Sequence, residues 1–226
     1  MGLDMYLYRT PRFGNTTPRE IEGIENYFSW KQKKAEGNKY AQCTLKEWCG
    51  IAYNELPKKA IKFYEPFYTI RYSDWDHNHE FGYGAITDQI AYWRKANAIH
   101  KWFVDVVQRG KDNCESYVVS REQLERLLQK CKIVKENVRM VKGKVINGYK
   151  YDNDLSKMTP IYEEGEYVEN PEICAKYLPT HNGFFFGGTE YDQWYMQDIT
   201  YTIEALTKIL EETDFETQMV YYRSSW

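Results

Sequence analysis

Apolar and polar positions alternate at the start of the chain. Leu3, Met5 and Leu7 fall on one face of an extended segment and Asp4, Tyr6 and Tyr8 on the other, which predicts a strand. Thr17-Pro18 reads as an N-cap followed by proline at the first helical position, and Ile21, Ile24 and Phe28 repeat at helical spacing behind it. This helix is expected to dissolve in the charged run after Trp30. Thr44-Leu45-Lys46-Glu47 is a capping box, in which hydroxyl and carboxylate each satisfy the other residue's backbone N–H. The helix it opens carries Leu45, Trp48, Cys49, Ala52 and Leu56 on one side, and Pro57 ends it. Phe67 to Tyr72 reads as a strand.

The strongest periodic signal predicts a helix from about Asp88 to Arg109. One apolar stripe runs Ile86, Ile90, Trp93, Asn97, His100, Val104 and Val107, with Tyr92, Ala96, Ile99, Phe103 and Val106 beside it. Arg94, Lys101, Asp105 and Gln108 are expected to face water. Glu115 to Val119 predicts a short strand. Ser120-Arg121-Glu122-Gln123 is another capping box, opening a helix with Leu124, Leu127, Leu128, Cys131 and Val134 inward. Residues 138–172 change character. Val145-Ile146-Asn147-Gly148-Tyr149-Lys150 predicts a hairpin turning at Asn-Gly, and residues 161–168 a second one. This block is too short for its own core, so it reads as a hairpin arm or insertion within a single domain spanning 1–226. Gly183 to Gly187 reads as a short apolar strand. Thr189 and the residues after it cap a long helix to about Glu212 with Tyr195, Ile199, Thr202, Leu206, Ile209 and Leu210 inward. Glu216 to Arg223 predicts a last strand. Terminal strands flanking three to five packed helices, without regular βα alternation, predict an α+β fold with a mostly antiparallel sheet.

Composition narrows the function classes. Mean hydropathy is −0.73 and no stretch approaches the roughly 18 apolar residues of a membrane span, so no membrane partner is expected. The opening residues lack the basic and apolar regions of a signal peptide. The five cysteines include no C-x-x-C pair, which fits buried thiols in a reducing cytoplasm. Net charge is −3, so no global positive field attracts nucleic acid. Aromatic residues make up 17% of the chain, with 21 Tyr and 7 Trp, a composition that suits binding surfaces as well as cores.

Two constellations carry candidate chemistry. Asp74, Asp76, His77 and His79 lie in one polar segment, where His77 and His79 would share one side of an extended chain and could ligate a divalent metal; a polar loop is the plainer reading. Asn97 and His100 lie one helical turn apart within the apolar stripe. Either the core satisfies them, or with Trp93, Arg94 and Lys101 they line a ligand site for a nucleotide or another planar anion. Gly187-Gly188-Thr189 could hold a phosphate at a helix start, but Glu190 and Asp192 already occupy the first turn. No nucleophile motif, P-loop or G-x-G-x-x-G is present, which leans away from an enzyme, and no cofactor is expected.

Three strings carry a resemblance: Met1-Gly2-Leu3-Asp4-Met5-Tyr6-Leu7, the run from Tyr92 to Phe103, and Phe184-Phe185-Phe186-Gly187 with Tyr191-Asp192 and Trp194-Tyr195. The chain resembles a family of small uncharacterised phage and prophage proteins, relative to which residues 138–172 look like an expansion. The resemblance implies a phage-encoded accessory protein in the cytoplasm of an infected bacterium. With the aromatic richness and the absent motifs, the leading expectation is action by binding, as an inhibitor of a host defence factor. The alternative is a small-molecule or nucleotide-sequestering protein, and the second alternative a metal-dependent hydrolase or nuclease.

Overall fold

The computed structural model describes residues 2–71, 83–151, 158–183 and 186–226. Its strands are β1 (Asp4–Pro11), β2 (Thr69–Arg71), β3 (Tyr83–Ala85), β4 (Asp88–Arg94), β5 (Tyr117–Val119), β6 (Met140–Tyr151), β7 (Met158–Val168) and β8 (Gln218–Ser225). Its helices are α1 (Pro18–Ala35), α2 (Leu45–Cys49), α3 (Lys58–Tyr64), α4 (Asn97–Val106), α5 (Arg121–Asn137), α6 (Glu172–Tyr177) and α7 (Gln193–Glu212). The fold is α+β with antiparallel sheets. A four-stranded sheet has the order β4-β1-β8-β5, and β2-β3 and β6-β7 form two-stranded ribbons.

The chain divides into two compact units, and the division falls inside β1, β4 and β8. One unit holds Met1–Leu7, Ile90–Thr213 and Tyr222–Trp226, and the other Tyr8–Gln89 and Asp214–Tyr221. In the second unit, α1 starts as its sequence dictates. Thr17 and Glu20 form the capping box, and Pro18 sits at the first turn. The helix runs past Trp30 to Ala35, because Lys33 and Lys34 complement its C-terminal dipole. Its apolar stripe packs Ile21, Ile24 and Phe28 against Leu45, Leu56, Ile61 and the fully buried Tyr64, whose hydroxyl donates to the Pro11 carbonyl at 2.9 Å. The half-buried Glu25 carboxylate accepts from the N–H groups of Ile86 (2.7 Å) and Thr87 (2.9 Å) and from the Thr87 hydroxyl (2.9 Å), holding the turn between β3 and β4. The box at Thr44 is formed, but α2 ends at Cys49. Gly50, at φ +76°, takes the left-handed cap, so the helix expected to reach Pro57 stops earlier.

In the first unit, α5 opens on its capping box at Ser120 and buries Leu124, Leu127, Cys131 and Val134 along α6 and α7. From α7 come Tyr195, Ile199, Thr202, Leu206 and Ile209, the face expected from the sequence. Its N-cap is Asp192 rather than Thr189. The Asp192 carboxylate accepts from the N–H groups of Trp194 (2.9 Å) and Tyr195 (3.1 Å). Gly183 and Phe186 belong to no strand, and Phe184 and Phe185 lie outside the described residues.

Three further expectations are corrected. The segment from Asp88 to Arg109 is not one helix but β4 followed by α4. Ala91 and Trp93 point inward and Tyr92 and Arg94 outward, so a period of two coexists with the period of 3.6 in these residues. Pairing beside β1 selects the strand. Lys95 then breaks it with a left-handed backbone (φ +62°), its N–H bonded to the Leu3 carbonyl at 2.7 Å. Gln108, expected in water, is buried and donates to the Lys111 carbonyl at 2.8 Å. Asn147-Gly148 is not a hairpin turn either. Residues 140–151 and 158–168 form one long hairpin whose register slips between Ile146 and Tyr149. Asn147 and Gly148 there oppose the single residue Ile161, a β-bulge that the positive φ of Gly148 (+104°) permits.

Candidate functional site

A groove of about 990 Å³ opens in the first unit, within the size range of small-molecule sites. Its floor is the start of α4 (Asn97, Ala98, Ile99) and the first turns of α7 (Trp194, Gln197, Asp198). The bulge supplies Asn147 and Tyr149 on one wall, residues 180–183 and 186–190 form another, and Arg94 and Lys95 stand at the rim. The bulge therefore re-aims two side chains toward the groove, and the Asn147 amide is anchored by donating to the Glu163 carboxylate at 2.6 Å.

The two helix starts at this groove differ. That of α7 is closed by Asp192. That of α4 is not: Ala96 occupies the cap position and offers no side-chain acceptor. Lys95 and Asn97 form a tight turn about Ala96 (φ −76°, ψ 68°), with the Asn97 N–H donating to the Lys95 carbonyl at 2.8 Å. Among the described residues nothing accepts from the backbone N–H of Ala98 or Ile99, although both residues are buried. A helix start of this kind attracts negative charge. Arg94, itself paired with Asp4 at 3.2 Å, and Lys95 add two cations nearby.

Asp198 is the second unusual group. Burial, reinforced by the charge of Asp192, raises its carboxyl to about 7. Among the described residues nothing hydrogen-bonds this carboxyl. Near neutral pH it is therefore present both as a donor and as an acceptor, an uncommon property in a side chain lining a cavity. Tyr149 is pushed up by burial, with a contribution from Glu190.

The residues singled out in the sequence separate. Arg94 and Asn97 line the groove. Asn97 has no free polar atom for a ligand to displace cheaply: its amide N donates to the carbonyls of Phe186 (3.2 Å) and Gly188 (2.7 Å), and its oxygen accepts from the His181 N–H (3.0 Å). It clamps His181, Phe186 and Gly188 and so shapes the groove wall. Gly187 (φ +95°) lies where a Cβ would meet Lys95 at 3.1 Å, so the loop approaches this rim through a glycine. Trp93 is buried and donates its indole N–H to the Thr202 hydroxyl at 2.9 Å. Lys101 pairs with Asp105 at 2.8 Å on the exposed side of α4. His100 is fully buried between two partners. The Asp112 carboxylate can only accept, so Nε2 carries the proton (3.0 Å) and Nδ1 accepts from the Tyr222 hydroxyl (2.7 Å). Asp112 also accepts from the Trp226 indole at 3.0 Å. Burial lowers the His100 pKa and keeps the ring neutral, although Asp112 opposes this. Asp74, Asp76, His77 and His79 lie outside the described residues. Among the described residues there is no cluster of three groups suited to a metal.

Sequence reasoning missed Asp198, Lys95 and the bulge. Asp198 sits on α7 between inward-facing Tyr195 and Thr202, so its helical phase carried a signal. Compared with known proteins, the chain matches no family model, no curated protein and no solved structure. No helix among the described residues is long and apolar enough to cross a membrane.

Proposed function

We propose that the chain acts by binding, and that its ligand is a small polar molecule bearing an anionic group such as a phosphate. The observation that carries this reading is the uncapped start of α4, whose residues Asn97 and Ala98 line the groove that Arg94 and Lys95 rim. The anion seats at the positive end of this helix and against the two cations. The body of the ligand extends toward Tyr149 and Trp194, whose rings are about half exposed and free to pack on it, and Asp198 reads a hydroxyl or an amine.

Native mass spectrometry before and after exposure to a bacterial small-molecule extract tests this. A defined mass above the 27.1 kDa chain is expected, lost in an Arg94→Ala/Lys95→Ala double variant and altered in affinity by Asp198→Asn. A bare chain under both conditions, or an adduct indifferent to these substitutions, overturns it.

A second reading is supported by the β6–β7 hairpin, which exposes Tyr149, Ile161, Tyr162 and Tyr167. Aromatic groups of this kind anchor protein partners. With the phage resemblance they favour a phage-encoded accessory protein that engages a host factor. A pull-down from host lysate that depends on Tyr162 supports this reading, and one unaffected by Tyr162→Ser with Ile161→Ser counts against it.

A further inference from the structure

The second unit holds a separate pocket of about 480 Å³. Tyr27, Trp30 and Lys34 reach it from one stripe of α1, Leu45 and Lys46 from the start of α2, and Tyr53 from the short 3-10 turn that follows. The three rings stand close together: Tyr27 and Tyr53 have centroids 5.1 Å apart, and Tyr27 and Trp30 6.5 Å apart, with interplanar angles of 37° and 33°. The Trp30 indole N–H is already given to the Cys43 carbonyl at 3.0 Å, so the ring has only its faces left to offer. Three adjoining rings form an aromatic wall, and such faces ordinarily suit an ammonium ligand. Here the charge is reversed. Lys34 sits over the Trp30 ring, 4.7 Å from its centroid, Lys46 lies on the opposite element, and no carboxylate lines the pocket among the described residues. A cationic occupant would meet two like charges. A purely apolar occupant would make no use of either ammonium group.

We infer that this pocket binds a planar aromatic anion, its ring packed against Tyr53, Tyr27 and Trp30 and its negative group held by Lys34 and Lys46. The chemical class is that of a nucleobase or similar heterocycle carrying a phosphate or carboxylate. The volume admits one such ring system. The site is independent of the groove, since every lining residue belongs to the other unit.

The probes are a nucleoside 5′-monophosphate, the matching uncharged nucleoside and inorganic phosphate, titrated calorimetrically into the full chain. Lys34, Lys46 and Tyr53 are exposed, so Lys34→Ala/Lys46→Ala and Tyr53→Ala leave the core intact. The monophosphate is expected to bind, and at least tenfold more weakly in either variant. The nucleoside should bind weakly and without dependence on the lysines, and phosphate alone should not bind. Arg94→Ala/Lys95→Ala, which disables the groove, should leave this binding unchanged. A short single-stranded oligonucleotide that binds tighter than the monophosphate, with the same dependence on Tyr53, identifies a nucleic-acid strand as the source of the ring. The inference falls if the monophosphate does not bind at millimolar concentration, if the lysine and Tyr53 variants bind it as well as the unaltered chain, or if only the groove variant loses it.

Discussion

Asn97 and Asp198 both border the groove of the first unit, yet their surroundings are opposite. The Asn97 amide uses three hydrogen bonds to fix the backbone at His181, Phe186 and Gly188. The Asp198 carboxyl is half-buried at the same groove and, among the described residues, has no hydrogen-bonding partner. A buried polar group with all its partners stabilises one conformation, while one without partners costs stability and remains available for something else. The difference separates scaffold from candidate chemistry more sharply than either residue's position in the sequence does. His100 belongs with Asn97: two ring nitrogens, two partners and no exposure.

The largest effect is expected from the scaffold. His100→Ala empties a fully buried site and strands the Tyr222 hydroxyl and one Asp112 oxygen, which should cost about 3 kcal/mol in denaturant unfolding. A loss below about 1 kcal/mol would place His100 outside the scaffold and restore it as a candidate ligand group. Asn97→Ala leaves the Phe186 and Gly188 carbonyls and the His181 N–H without their partner, and about 2 kcal/mol of destabilisation is expected. If Asn97→Ala is neutral to stability but abolishes ligand capture, the contrast with Asp198 collapses.

Asp198 should behave in the reverse sense. Its folded-state pKa, about 7, lies above the ordinary carboxylate value, so the native chain holds a proton that the unfolded chain releases between roughly pH 4 and 7. Stability therefore falls across that interval as pH rises. Asp198→Asn removes the fall, and the variant should exceed the unaltered protein by about 1–2 kcal/mol at pH 8, with the gap closing toward pH 4. His100, with its lowered pKa, acts oppositely: its contribution is lost as pH drops below about 6.5. The comparison must then be variant against parent at each pH, since the raw profile mixes the two slopes. A gap that does not vary with pH would show that Asp198 is ionised throughout. The smallest effect is expected at the bulge. A Cβ on Gly148 would meet nothing within 4 Å, so Gly148→Ala costs only its backbone conformation, about 1 kcal/mol, readable as a shift in Tm of a few degrees.

The elements legible in the sequence were those fixed by short-range chemistry. All three helix starts with a hydroxyl and a Glu or Gln three residues later form their capping boxes, at Thr17, Thr44 and Ser120. The inward faces of β1 and α7 were equally readable, because an uninterrupted apolar period admits one solution. Where two periods overlap, as from Ile90 to Trp93, the outcome depends on a neighbour remote in sequence. Asn147-Gly148 misleads for a related reason: the pair permits positive φ, and both a turn and a bulge use it. The groove was half visible. Arg94 and Asn97 stood out by type, but the open start of α4 exists only because β4 ends at Lys95, and the state of Asp198 depends on burial that no local pattern encodes.

The order of the four-stranded sheet has a temporal consequence. β1 ends at Pro11 and β8 begins at Gln218, yet they are bonded neighbours, and β8 also bridges β1 to β5. Closing so long a loop is entropically costly and slow. On a translating ribosome the apolar residues of β1 emerge long before β8 and wait for all of the intervening residues before their partner strand exists. The helices of α1 and α5 can form during that wait, but the sheet cannot, so nascent chains of this protein pass through a long interval in which Leu3, Met5 and Leu7 are shielded only by whatever else is at hand.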